Sequence, residues 1–389
     1  MAKNIIICLD GTGNQIEANL SSVLKLYRTL DMQEDQIVYY HQGVGTLGQQ
    51  YTWGAATQNL KKAWGLITGM GLDRNVLDAY RFIVEHYSNG DKLFLFGFSR
   101  GAHTARALAA FIYVIGLLRP EQLNLAGAAL TIYKQAKSQK GINVADHFRR
   151  IAKLDFTDSV AIDFVGVWDT VSSMIVPRPD RFYLPSLEKL PFTFTNPGVK
   201  TFRQANAIDE KRRMFRLDGW DDHQEFKPNK YSQGERVAQD VEQVWFAGCH
   251  SDVGGGFKRE DSAMSQFPLI WMIEEAAAAG LKVNERMVDH VARGKPYSST
   301  TKHNYPKPDH TKAIHKSMTL PWAWMEVLPR SSNAKEWPKR KSFLGFYLPL
   351  SEPRLIPEGA SIHRSVVDRM SDVPSYHPVN LPAQYNVVD

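Results

Sequence analysis

Cysteine is nearly missing from this 389-residue chain: there are two, Cys8 and Cys249, and no Cys-x-x-Cys. Two thiols cannot build a zinc site by themselves, and they do not make a disulfide framework. Both stand in apolar, β-like runs and read as reduced, buried core residues. Cys249 precedes His250, but adjacent residues of a strand point to opposite faces, which argues against a thiol–imidazole pair. Low-complexity tracts and internal repeats are also lacking. No apolar run is long enough for a membrane span; the longest lies between Arg106 and Arg119 and suits a buried helix. The first residues carry a short apolar run that ends on Asp10, which is not a secretory signal. The expectation is a chain made soluble in the cytoplasm, whose export needs a route without a cleavable signal.

Composition is ordinary for a globular protein, with 43% hydrophobic and 23% charged residues. The length is enough for a large core. A net charge of +6 favours anionic surfaces such as phospholipid headgroups or nucleic acid. No nucleic-acid-binding signature accompanies the charge, so nucleic acid is not an expected partner.

One stretch carries more information than any other. Lys92 to Phe98 is an apolar, β-prone run, Gly97-Phe98-Ser99-Arg100-Gly101 follows, and an alanine-rich helical run begins at Ala102. Strand, Gly-x-Ser-x-Gly and helix in that order make a nucleophile elbow. The glycines leave room for close chain contacts, and the helix amides can stabilise negative charge near Ser99.

Acyl transfer by serine needs a base for its proton and an acid to orient that base. Val165 to Trp168 leads to Asp169, and Val244 to Cys249 leads to His250 and a glycine-rich turn. In an open α/β sheet the strand carboxyl ends form the site, so Ser99, Asp169 and His250 are expected at one edge. The oxyanion donors would be the Arg100 N–H and an amide of the Asp10-Gly11-Thr12 loop, from Gly11 or Thr12. Asp10 and Asp252 stand behind these residues; Asp252 shares a loop with His250 and is expected to support that loop or stay solvated. His103, one helical turn after Ser99, is expected to point away. No metal or cofactor is expected.

Other patterns carry less. Asp10-Gly11-Thr12 resembles the nucleophile loop of aspartyl-phosphate phosphatases, but Cys8 occupies the place of the required first aspartate. Gly43-x-Gly45-x-x-Gly48 fits a dinucleotide pattern without a convincing helix after it. Pro321-Trp322-Ala323-Trp324-Met325 and Trp337-Pro338-Lys339-Arg340-Lys341 read first as aromatic packing beside a solvated basic loop, and second as an interfacial anchor.

Periodicity predicts strands over 5–9, 36–41, 92–98, 160–168 and 243–249. It predicts helices over 21–30, from Asp73, over 266–279 and over 362–370. This alternation implies an α/β fold with a mostly parallel central sheet and helices on both faces. The expected organisation is a catalytic core over 1–285, with 172–235 as an insertion in the position of a lid, and an extension over 286–389 that packs on the core.

Several segments recur together in a known family. They are Leu9-Asp10-Gly11-Thr12-Gly13-Asn14, Gly43-Val44-Gly45-Thr46, Gly97-Phe98-Ser99-Arg100-Gly101-Ala102, Ala207-Ile208-Asp209-Glu210-Lys211-Arg212, Gly166-Val167-Trp168-Asp169-Thr170-Val171 and His250-Ser251-Asp252-Val253-Gly254-Gly255-Gly256. The chain resembles the α/β-hydrolase-like family that contains the type VI secretion phospholipase effectors. The resemblance implies a triad at Ser99, Asp169 and His250. It implies cleavage of phospholipid acyl esters of A1 or A2 type, toxicity to competing bacteria, and secretion-apparatus and immunity partners. It also implies synthesis in a bacterial cytoplasm with export through a type VI system. Two other readings stand beside it: a general carboxylesterase that does not act on membranes, and a non-catalytic binding module on a hydrolase scaffold.

Overall fold

The computed structural model describes residues 2–11, 19–43, 71–154, 160–171, 175–177, 185–187, 190–221, 223–228, 237–298 and 304–389. Eight strands form its central sheet: Asn4–Leu9 (β1), Gln36–His41 (β2), Lys92–Phe98 (β3), Ile162–Trp168 (β4), Val199–Ala207 (β5), Asp240–Phe246 (β6), Ala360–His363 (β7) and Tyr385–Val388 (β8). Their order is β2-β1-β3-β4-β5-β6-β7-β8, and every neighbouring pair is parallel. The expected mostly parallel sheet is thus parallel throughout.

The helices relevant to the site are Ser22–Thr29 (α1), Leu72–His86 (α2), Arg100–Ile115 (α3), Ala126–Gln135 (α4), Gln139–Ile151 (α5), His250–Gly254 (α6), Gln266–Ala278 (α7), Glu285–Val291 (α8), Leu320–Glu326 (α9) and Arg364–Asp372 (α10). Strand alternation sorts the apolar residues onto two cores. Ile5, Ile7, Leu93 and Leu95 face α2 to α5; Ile6, Cys8, Phe94 and Phe96 face α1, α7 and α8. α3 is buried from Gly101 to Ile115, and its alanines let it lie close on the sheet. Phe94, Phe96, Phe164 and Trp168 pack ring against ring across β3 and β4 on the other face. Truncating one of these rings to alanine would cost about 3–5 kcal/mol.

β1 feeds β2 on one side, and β3 then returns on the other side of β1, so the connection reverses between β1 and β3. An open parallel sheet places its site at such a switch point, at the strand carboxyl ends. Leu9, Phe98, Trp168 and Phe246 are the last residues of four strands at that edge.

Three expectations change. The strand expected over 243–249 runs from Asp240 to Phe246 instead. Ala247 to Cys249 form the turn, because Gly248 takes φ +118°, which ends the extended backbone. His250 therefore opens a short helix instead of sitting at a strand end. Val199–Ala207, inside the expected 172–235 insertion, is a buried strand of the central sheet. Its run of Thr, Phe, Arg, Gln and Asn hid the strand from a reading based on apolar residues. The chain after 285 also joins the sheet, as β7 and β8. The helix expected over 362–370 is α10, preceded by β7.

Candidate active site

Ser99 has φ +58° and ψ −120°, a conformation that residues with a Cβ avoid and that costs on the order of 1–3 kcal/mol. Its neighbours explain how the chain holds this turn. A Cβ on Gly97 would lie 2.5 Å from the Gly101 carbonyl oxygen, and one on Gly101 would overlap the Leu9 carbonyl. The two glycines let β3, α3 and the end of β1 meet backbone to backbone. Ser99 N–H also donates to the Trp168 carbonyl at 3.1 Å, which ties the elbow to β4. The serine is 8% exposed. Arg100 opens α3, so its N–H belongs to the first turn, whose amides have no acceptor earlier in the helix.

Asp169 follows β4 with φ +42° and is fully buried. Its Oδ2 lies 2.5 Å from Nδ1 of His250. Arg354 grips both of its oxygens, Nη1 to Oδ1 at 2.5 Å and Nη2 to Oδ2 at 2.9 Å. The Ala207 N–H donates to Oδ1 at 2.9 Å. Burial opposes the charge on Asp169, but the Arg354 guanidinium and the His250 hydrogen bond outweigh it and hold the carboxyl far below its usual range. An ionised Asp169 can only accept, so His250 donates to it from Nδ1.

His250 is 4% exposed and held on several sides. Its ring lies 4.6 Å from that of Phe98, the residue before Ser99, and meets Phe215 edge-on at 4.9 Å. Its backbone N–H donates to Oε2 of Glu210 at 3.2 Å. Glu210 is buried and paired with Arg212 at 2.7 Å, and the Arg212 guanidinium covers the Phe215 ring at 3.6 Å. Gly254, on α6, packs so tightly on Phe98 that a Cβ would overlap that ring. The turn bearing His250 is thus locked against the strand bearing Ser99.

The remaining expected residues fall out as follows. Gly11 N–H donates to Oδ1 of Asp10 at 2.6 Å, so this amide is already engaged. Thr12 lies outside the described residues, as do Gly45 and Gly48. Asp10 also accepts from Ser21 Oγ at 2.5 Å and from Tyr40 at 2.8 Å, so it anchors the turn after β1. Asp252 caps α6 by accepting from Cys249 N–H at 3.0 Å, and it pairs with His315 at 2.6 Å. It does not touch the His250 ring. His103 is buried on α3, 4.0 Å from Asp218, and burial pushes it down to about 4. Burial raises both thiols well above the ordinary range. Among the described residues, no cluster of three His, Cys, Asp or Glu could hold a metal ion.

Two contributors were not found in the sequence. Glu210 lies in a segment that carries the family resemblance, yet nothing in its pattern points at His250. Arg354 stands in Glu352-Pro353-Arg354-Leu355-Ile356-Pro357, 185 residues from Asp169, where no motif marks it.

A model of the catalytic domain of the Tle1-like phospholipase effectors of type VI secretion matches residues 3–275. The chain belongs to that family. The uncharacterized protein YEL023C of Saccharomyces cerevisiae is 30% identical over 228 residues, which is 55% of this chain and 32% of the yeast protein. The chain therefore spans about a third of that relative's length. Among solved structures, an uncharacterized protein from Pseudomonas aeruginosa is 18% identical, with 73% of this chain and 46% of that one covered at a TM-score of 0.39. The Tle1 effector bound to the VgrG spike of the type 6 secretion system is 20% identical, covering 66% and 52% at 0.34. Thermogutta terrifontis esterase 2 phosphoramylated by tabun is 14% identical, covering 72% and 84% at 0.32. Arg354 and Trp322 lie beyond the part of this Tle1-like chain that the family model matches.

Proposed function

We propose that this Tle1-like chain hydrolyses the acyl esters of phospholipids through Ser99, His250 and Asp169. The observation that carries the reading is the strained serine on its glycine-flanked elbow, one residue after Phe98, whose ring packs at 4.6 Å on an imidazole bound at 2.5 Å to an ionised, buried carboxylate. In this reading Ser99 Oγ attacks the ester carbonyl carbon as His250 Nε2 takes its proton. The tetrahedral oxyanion forms at the start of α3, where the Arg100 N–H donates to it. Collapse expels the lysolipid alcohol, which receives the proton from His250. Water, activated by the same nitrogen, releases the fatty acid and restores Ser99. Asp169 keeps one tautomer in place and stabilises the imidazolium while it exists.

The catalytic unit is the whole folded chain, since β7, β8 and Arg354 all come from residues after 285. The family supports an effector role: export through a type VI system, a spike or other secretion-apparatus partner, and action on a competitor's membrane.

The test is Ser99→Ala, assayed on a soluble short-chain ester and on phosphatidylglycerol vesicles. The reading expects kcat to drop by about 10⁴-fold or more on both. Undiminished turnover would eliminate it. Activity on the soluble ester alone, in the parent chain, would favour a general carboxylesterase.

A further inference from the structure

Residues 330–350 hold five cations and one carboxylate around the sequence Phe343-Leu344-Gly345-Phe346. This sequence forms the tip of a tight hairpin. Phe343 N–H donates to the Phe346 carbonyl at 2.7 Å, and Phe346 N–H returns the bond at 2.9 Å. Leu344 and Gly345 take φ +48° and +78°, as a two-residue hairpin loop with both residues left-handed requires. Asparagine or glycine fits the first of these positions at little cost, whereas leucine adds strain there. The side chains are also held out in water: Phe343 is 78% exposed, Leu344 80% and Phe346 56%. A strained, apolar tip in solvent gains nothing for the folded chain by itself, and such conflicts mark function.

The base of the hairpin is rigid. Tyr347 is buried and donates to Glu352 at 2.6 Å; Glu352 is fully buried and pairs with Arg216 at 3.0 Å. The Leu350 N–H donates to the Glu326 carbonyl at 3.1 Å, which fastens the hairpin to the end of α9. There Trp324 is 71% exposed and Leu328 47%. The one carboxylate, Glu336, is paired with Arg216. Lys339 and Lys341, just before the tip, are exposed. At the other end of α9, Trp322 meets Phe215 edge-on at 5.5 Å, and Phe215 meets His250.

We propose that the Phe343-Leu344-Gly345-Phe346 tip is a wedge that enters the headgroup–acyl boundary of an anionic phospholipid bilayer, with Lys339 and Lys341 on the lipid phosphates. Aromatic and aliphatic side chains ringed by cations match that boundary chemically, and a rigid base lets the tip be pushed in without loss of fold. The two ring contacts from α9 to His250 bring the docked bilayer to the site. The inference rests on the phospholipid reading only for the purpose of docking; the docking itself is separable from hydrolysis.

The test uses the full chain with Ser99→Ala, so that bound lipid is not consumed. Its flotation is measured with vesicles of equimolar phosphatidylglycerol and phosphatidylcholine, and with phosphatidylcholine alone. The chain should bind the anionic vesicles more tightly. Leu344→Asn, which suits the turn, should weaken binding about tenfold while the unfolding temperature holds or rises. Phe343→Asp with Leu344→Asp should weaken it by roughly 100-fold or more. Lys339→Glu with Lys341→Glu should abolish the preference for phosphatidylglycerol. In the Ser99 background, all of these variants should hydrolyse a soluble short-chain ester at the parent rate. A parent chain that does not float, or tip variants that float as it does, overturns the wedge whatever the ester rates are. Tip variants that only dissolve a dimer, with vesicle binding unchanged, also overturn it. Normal docking by a chain that cleaves no ester keeps the wedge and removes the hydrolase reading instead.

Discussion

Arg354 holds both carboxylate oxygens of Asp169, at 2.5 and 2.9 Å, from a position beyond the family's matched span. The second donors of Nη1 and Nη2 go to the Ala207 and Phe215 carbonyls at 3.0 and 2.6 Å. A bidentate grip fixes both the charge and the plane of the carboxylate, and the plane sets how the His250 ring is aimed. Arg354→Gln should lower kcat/KM on a soluble ester by about 10²-fold, and it should destabilise the fold by about 3–5 kcal/mol because a buried carboxylate loses its partner. Arg354→Lys should recover part of the stability but little of the rate, since an ammonium cannot reproduce the fork. Equal kinetics for the two variants and the parent would remove Arg354 from the account.

The same pair makes a claim about acid. The Asp169 carboxyl is depressed in the folded state, so its contribution to stability is present above the ordinary carboxylate value near ~4 and is lost as pH falls below it. Without Arg354 this depression shrinks, and acid unfolding of Arg354→Gln should begin at a higher pH than that of the parent. The check is a denaturant midpoint followed from neutral pH to pH ~3 in both chains.

Lys25 gives a pH prediction of the same sign in a higher window. It is buried on α1 between Ser262, Ser265 and Gln266, with oxygens at 3.2–3.3 Å. Burial, helped by Arg259, pushes it down to about 7. The unfolded chain then binds one more proton than the folded chain from about pH 7 up to the free value near ~10.4. Stability from this group should therefore rise with pH across that window. Lys25→Met should flatten the rise and stabilise the protein at neutral pH by on the order of a few kcal/mol. An unchanged pH dependence of the unfolding temperature would contradict the assignment.

Two glycines should respond in opposite ways to alanine. Gly101→Ala places a methyl group on the Leu9 and Asp10 carbonyls, where only backbone can yield, and should cost more than about 3 kcal/mol or prevent folding. Gly127, in α4, has nothing within 4 Å of a new Cβ, and Gly127→Ala should stabilise by about 0.5–1 kcal/mol. Thermal unfolding of the pair separates the elbow's steric demand from ordinary helix propensity.

The elbow was legible in the sequence because its demands are local: glycines two residues to either side of Ser99, a strand before and a helix after. The β1, β3 and β4 strands were legible for a similar reason, as apolar runs buried on both faces, and β2 as a half-buried apolar run at the sheet edge. β5 was not, because Arg203 and Gln204 find their partners in distant parts of the chain. Arg203, for example, pairs with Asp240 and Glu275. β7 and β8 are four residues each and take their strand identity from the edge they join. Within the site, the residues at strand ends could be listed from order alone. What orients them could not. Arg354 and Glu210 act through contacts made at separations of 185 and 40 residues, which leave no periodic trace.

The central claim is that the Ser99 hydroxyl is the activated nucleophile. The most direct measurement is fluorophosphonate labelling of the folded chain, with the modified peptide identified by mass spectrometry. Stoichiometric adduct on Ser99, slowed at least about 10²-fold in His250→Ala and absent in Ser99→Ala, is the predicted result. A folded parent chain that takes up no label, or carries it on a residue other than Ser99, would contradict the account.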